Sequence, residues 1–185
     1  VGSAPSYAHG VIDPIPELGE IAERHDLPLH VDACIGGFVL PYLRRLGKSV
    51  PPFDLSVPGV TSISVDLHKY GFAPKGASVL LYDHAGLRRH QIYACATWSG
   101  YTVVNNTVQS SRSVGPLAAA WAVLHHLGDD GYLDRFRRVL QATDRIAEGI
   151  EAIDGLELMA PPEATLIAFT AEDADIFEVA DEMNG

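Results

Sequence analysis

Apolar residues along this chain fall into short runs separated by helix-sized stretches. Leu18, Ile21 and Ala22 recur at helical spacing within residues 17–24, and Pro14 and Pro16 suit the first turn of that helix. Residues 27–31 then read as a strand, 37–46 as a helix, 48–58 as a proline-rich loop, and 60–65 and 77–82 as two further strands. This alternation predicts an α/β fold with a mainly parallel sheet flanked by helices. From Pro116 to about Ile153 the pattern turns helical, in one stretch that reaches Gly128 and a second over 132–150. Residues 156–159 and 165–169 read as strands on either side of Pro161-Pro162, and a helix starts at Asp175. No internal repeat or low-complexity tract interrupts the pattern.

Composition narrows the classes of partner. A chain of 185 residues can hold one domain with a real core, or a domain and part of another. A net charge of −11 argues against a nucleic-acid partner, which needs clustered Lys and Arg. No stretch approaches the roughly 20 apolar residues needed to cross a bilayer, so no membrane contact is expected of this region. Cys34 and Cys95 lack motif spacing, which predicts free thiols in a reducing, cytoplasmic setting. The histidines form no HxxxH or HxH pattern beside a supporting acid, and no metal site is expected. Gly36-Gly37 lacks the spacing of a dinucleotide loop. The chain opens on Val1 and ends inside a helical pattern, so an internal fragment of a longer protein is expected.

Two strand ends carry the chemistry. The first strand runs into Asp32-Ala33-Cys34-Ile35-Gly36-Gly37, and the 60–65 strand into Asp66-Leu67-His68-Lys69-Tyr70-Gly71. In an open α/β sheet, ligands bind at the carboxyl ends of strands. An acid and a lysine at that edge can hold the two ends of a pyridoxal phosphate ring, the carboxylate on the ring nitrogen and the amine on the aldehyde carbon. Taken singly, Asp32 could instead cap the following helix, and Lys69 could be a loop lysine. His30 reads as a strand-end histidine packed against its neighbours, and Cys34 as a spacer.

These residues also carry a resemblance. His30-Val31-Asp32-Ala33-Cys34-Ile35-Gly36-Gly37-Phe38, the Lys69 run and the opening Gly2-Ser3-Ala4-Pro5 resemble the fold-type I pyridoxal phosphate enzymes of the group II decarboxylase superfamily, and within them the sphingosine-1-phosphate lyases. The resemblance runs over nearly the whole chain. It implies the second half of a cofactor-binding large domain over 1–127, a connecting helix over 128–153, and the start of a small α+β domain over 154–185. It further implies that Lys69 bonds the cofactor, Asp32 pairs with the ring nitrogen, Ala33 lies against the ring, His68 touches the phosphate and Ser3 lies near the cofactor. Tyr7, Lys75 and Arg112 would meet the substrate, a small amine or amino-acid-like molecule. The parent enzyme would be a homodimer.

The resemblance breaks at one stretch. Where those lyases read Thr-Asp-Trp, two glycines and a tyrosine, this chain reads Ala96-Thr97-Trp98-Ser99-Gly100-Tyr101-Thr102-Val103, and Ser110-Ser111-Arg112-Ser113-Val114 stands for Gly-Ser-Arg-Pro-Gly. The cofactor reading is untouched, whereas the substrate reading rests on fewer matches. Cleavage of a phosphorylated long-chain base to an aldehyde and phosphoethanolamine is the expectation. Decarboxylation of an amino acid, or a fragment that is inactive and retains cofactor weakly when isolated, are the alternatives.

Overall fold

The computed structural model describes residues 1–107, 109–172 and 174–183. Its centre is a four-stranded sheet in the order β1 (Gly2–Ser3), β2 (Leu29–Asp32), β3 (Val60–Asp66), β4 (Ser78–Tyr82). β1, β2 and β3 run parallel and β4 is antiparallel to β3. The fold is thus α/β with a mostly parallel sheet, as the alternation predicts. α1 (Ile15–Arg24) and α2 (Gly36–Arg45) are the crossovers, since parallel neighbours cannot be joined by a tight turn.

The core lies between this sheet and its helices. Ile15, Val31, Val39, Leu40 and Leu43 are fully buried. In α1 the buried face is Ile15, Gly19 and Ala22, while Ile21 is 47% exposed; the helix is turned from the face its spacing suggested. Gly36 opens α2 against the first strand's exit: a Cβ there would sit 2.1 Å from the Ala4 carbonyl oxygen. That close approach brings the 3–5 segment beside the Asp32–Ile35 turn.

After β4 come α3 (Ala85–Arg88), a hairpin of β5 (Tyr93–Cys95) and β6 (Val103–Asn105), and α4 (Gly115–Glu151). The two helices expected over 116–150 form one path, broken only at Gly128, whose φ of 58° and ψ of −176° are non-helical. Just past the break, Asp129 takes both guanidinium nitrogens of Arg45 at 2.7 Å and the Tyr42 hydroxyl at 3.1 Å, tying α4 to α2. The chain ends in β7 (Leu156–Leu158), β8 (Phe169–Ala171) and α5 (Ile176–Met183). The strand expected over 165–169 is shifted: only Phe169 of it pairs. Residues ahead of it pack on the 10–12 loop instead, with Ala164 fully buried and Glu163 accepting the Ile12 N–H at 2.6 Å.

The second segment of α4 packs on the loop that carries Lys69. Tyr132 and Phe136 are buried among Phe38, Tyr42, Tyr70 and Phe72. The Tyr132 hydroxyl donates to the Gly71 carbonyl at 2.8 Å. Phe72 holds a φ of 57°, which costs a non-glycine residue about 1–3 kcal/mol, and its ring is fixed against those of Tyr132 and Phe136. Tyr132→Phe leaves the Gly71 carbonyl unpaired, and a loss of about 1–3 kcal/mol is expected from a urea unfolding curve.

Candidate active site

One face of the sheet is polar although its neighbours are core. In β2, Leu29 and Val31 are buried while His30 and Asp32 point the other way; in β3, Ser62, Ser64 and Asp66 share that face. The parallel register sets His30 beside Ser62 and Asp32 beside Ser64, and the antiparallel one sets Asp66 beside Ser78. β1 places Ser3 beside Asp32 from the other edge.

The Asp32 carboxylate sits at the end of β2. Its Oδ1 accepts the Cys34 backbone N–H at 3.1 Å and the Ser64 hydroxyl at 3.3 Å. It does not cap α2: the residue before that helix is Ile35, which makes no side-chain cap. Burial raises the Asp32 pKa, but hydrogen bonds from Cys34 and Ser64 and the charge of Lys69 outweigh it, so the carboxyl lies below its ordinary value. Asp32 is therefore an anion at neutral pH.

Lys69 stands across the Cys34 turn. Its Nζ donates to Cys34 Sγ at 2.7 Å and lies 3.0 Å from Asp66 Oδ2. Burial pulls the amine's pKa down, and these contacts with Cys34 and Asp66 more than reverse it, leaving it above the usual lysine value. Burial also pushes the Cys34 thiol up; Lys69 opposes and Asp32 adds to this, and the net direction is upward. A thiol so placed is a poor nucleophile. Asp66 is steadied in turn: desolvation raises its pKa, while the Ser78 hydroxyl and Lys69 lower it by more.

The other predicted residues scatter around this pair. Ala33 is fully buried, its N–H donating to Ser64 O at 3.1 Å. The Ser3 N–H donates to Asp13 Oδ2 at 2.7 Å. His68 donates from Nδ1 to Ala77 O at 2.9 Å, with Nε2 3.5 Å from Asp66. Tyr7 is 82% exposed and lines a shallow pocket of about 270 Å³ with Ile35, Lys69, Tyr70 and Phe72. Arg112 lines a different cavity, of about 560 Å³, with Ser78, Gln109 and Ser113. Ser78 touches Asp66, so that cavity adjoins the lysine cluster from the β4 side. Lys75 is exposed on the loop before β4. Among the described residues no group of three or more His, Cys, Asp or Glu could hold a metal ion, and no helix is long and apolar enough to cross a membrane.

The structure adds partners that the sequence reading passed over. His30 is not merely packed: Nδ1 lies 2.8 Å from Ser62 Oγ and Nε2 3.2 Å from Ser64 Oγ. Asp66 and Ser78 anchor the lysine. The readable signal was the alternation of Ser62, Ser64 and Asp66 with Ile63 and Val65 in a strand expected to be apolar on both faces.

Comparison with known proteins follows the same lines. The family described as the pyridoxal-dependent decarboxylase conserved domain matches residues 4–172. The chain is 50% identical over 184 residues to a sphingosine-1-phosphate lyase of Oryza sativa subsp. japonica, covering 100% of this chain and 34% of that protein. It thus spans about a third of the length of the sphingosine-1-phosphate lyases it matches. A solved sphingosine-1-phosphate lyase of Burkholderia pseudomallei superposes with a TM-score of 0.93 at 42% identity, over 99% of this chain and 42% of that one. A glutamate decarboxylase of Lactobacillus brevis shares the fold, with a TM-score of 0.82 at 19% identity over 99% of this chain and 43% of that one.

Proposed function

Because this chain belongs to the pyridoxal-dependent decarboxylase family, we propose that the whole protein is a pyridoxal phosphate-dependent lyase that cleaves a phosphorylated sphingoid base into an aldehyde and phosphoethanolamine. The observation that carries this reading is the meeting of the Asp32 carboxylate and the Lys69 amine on opposite sides of Cys34. The site fits the cofactor. The Cys34 N–H and the Ser64 hydroxyl reach Asp32 at Oδ1, so a protonated ring nitrogen would take Oδ2. Ala33 backs the turn from the core side, fully buried with Val31, and leaves no surface for a ring; Cys34, half-buried between Asp32 and Lys69, is the small side chain on the open side.

When bound, the cofactor supplies an electron sink for the pair released as a bond to the substrate's amine-bearing carbon breaks. Asp32, held ionised, would hold a protonated ring nitrogen. Lys69 would hold the cofactor through its amine and would be placed to carry a proton to that carbon. Asp66 and Cys34 hold the Lys69 amine between these tasks. Ser3 and His68 are the residues we assign near the cofactor, and Tyr7, Lys75 and Arg112 those toward the substrate. Residues 128–153 would connect the cofactor domain to a smaller one.

The lyase is favoured over amino-acid decarboxylation by the identity to the rice lyase over the full chain. A homodimer is part of the reading: Leu117, Trp121 and Leu124 line one exposed apolar face of α4, with Val114 just ahead of it, Leu117 and Trp121 at 65% and 64%. Two free cysteines accord with a cytoplasmic setting.

Incubating the whole protein with a phosphorylated long-chain base tests the assignment. Aldehyde and phosphoethanolamine in equal amounts support it; release of carbon dioxide from an amino acid, with no aldehyde from the base, overturns it. Arg112 faces its cavity as an anion clamp, and Arg112→Ala is expected to raise KM for the phosphorylated base about 10- to 100-fold with a smaller change in kcat. The Lys69 amine also gives a pH dependence. Only the neutral amine bonds an aldehyde, and Lys69 is held protonated beyond the ordinary lysine value. Cofactor loading of the stripped enzyme should therefore accelerate as pH rises, and Asp66→Asn should move that profile to lower pH in stopped-flow absorbance.

A further inference from the structure

The proton order along His30, Ser62, Ser64 and Asp32 is fixed by its ends. An ionised carboxylate only accepts, so at 3.3 Å the Ser64 hydroxyl gives its proton to Asp32 Oδ1. Ser64 Oγ must then accept at its contact with His30, which makes Nε2 the protonated nitrogen of the ring, 3.2 Å away. In the neutral ring Nδ1 is left as an acceptor, and the Ser62 hydroxyl at 2.8 Å donates to it. Three contacts thus point one way, toward the carboxylate. Neighbouring strands hold every member in register, His30 beside Ser62 and Asp32 beside Ser64.

We propose that His30 is a positioning residue for the Asp32 carboxylate, acting through Ser64. This rests on the reading above that Asp32 takes the cofactor's ring nitrogen. A serine hydroxyl can rotate, and a rotated Ser64 would turn its proton from Asp32. The Nε2–H of His30 occupies the Ser64 lone pair and leaves the serine proton no better acceptor than Oδ1. The carboxylate is thereby held with Oδ1 engaged and Oδ2 open, in one orientation before any ligand arrives. Chains of hydrogen bonds also polarise one another, so each donor in the series strengthens the next. Cys34 bonds the same carboxylate, its backbone N–H at 3.1 Å from Oδ1 and its thiol beside it, and that N–H, already committed there, does not replace a lost Ser64 donor.

The test uses the whole enzyme and four substitutions, His30→Leu, His30→Gln, Ser64→Ala and Asp32→Asn. Pyridoxal phosphate affinity is read by fluorescence titration, the absorption spectrum of the bound cofactor is recorded across pH, and circular dichroism monitors folding. Leucine removes the donor and is expected to weaken affinity about tenfold, near the upper end for a lost hydrogen bond between neutral groups. Glutamine keeps an N–H donor on a side chain of similar reach, and should restore affinity to within about threefold of the parent. His30→Leu placed on Ser64→Ala should add little, because both act on one path.

Equal losses in His30→Leu and His30→Gln, or fully additive losses in the double variant, overturn the proposal and leave His30 as a packed ring. If His30→Leu fails to fold, Ser64→Ala decides: affinity and spectrum unchanged from the parent would overturn it equally. Asp32→Asn separates the two levels of the argument. An unchanged affinity and spectrum there would remove the ring-nitrogen reading itself, whereas a loss there beside parent-like His30 and Ser64 variants removes the relay alone.

Discussion

Lys69→Ala in the whole protein is expected to abolish covalent capture of the cofactor and to lower turnover by at least ~10³-fold. Borohydride reduction of the loaded parent, followed by peptide mapping, should find pyridoxal phosphate fixed to the peptide carrying residue 69. The alanine variant should yield no such peptide while keeping its fold, since Lys69 is one-third exposed and packs in no core cluster. Lys69→Arg sharpens the test. A guanidinium keeps the positive charge opposite Asp66 but cannot bond an aldehyde. If arginine retained turnover, the lysine would be acting as a counter-charge, and the covalent role assigned to it would fall.

Asp32→Asn should have the second largest effect, a loss in turnover of about 10²–10⁴-fold, in the range of removing one partner from a desolvated charge pair. The substitution preserves shape and keeps an acceptor oxygen for the Cys34 N–H and Ser64 hydroxyl. What it removes is the negative charge opposite the ring nitrogen, so that nitrogen loses its proton at a lower pH. The expected signature is a change in the bound cofactor's absorption that follows pH, with covalent attachment to Lys69 retained. Near-parent turnover in Asp32→Asn would show that no anion is needed there, and another donor to the ring would have to be sought.

The ends of β2 and β3, at Asp32 and just ahead of Lys69, were legible because each β-rich run gives way to an acid and a glycine-containing loop. The α/β alternation was legible for the same reason. The hairpin of β5 and β6 was not, since Tyr93–Cys95 and Val103–Asn105 are each three residues long, too short to display a period of two. The 165–169 run misled because apolarity records packing rather than pairing: its first part is half-buried with no strand beside it, and Leu166 closes on Gly10. His30 and Ser64 escaped for a third reason. Their roles depend on the offset between two strands, including the shift between Leu29 and His30, and no linear pattern states an offset.

The Tyr132 hydroxyl reaches back 61 residues to the Gly71 carbonyl, and Phe136 closes on the same loop. During synthesis, a growing polypeptide can therefore have all four strands of the central sheet clear of the ribosome and still lack the two rings that fix the turn after Lys69. Domains form as units in the order their parts emerge. If the proposed role holds, cofactor capture should be a late event in biogenesis, timed by the arrival of α4 rather than by completion of the strands that carry Asp32 and lead to Lys69.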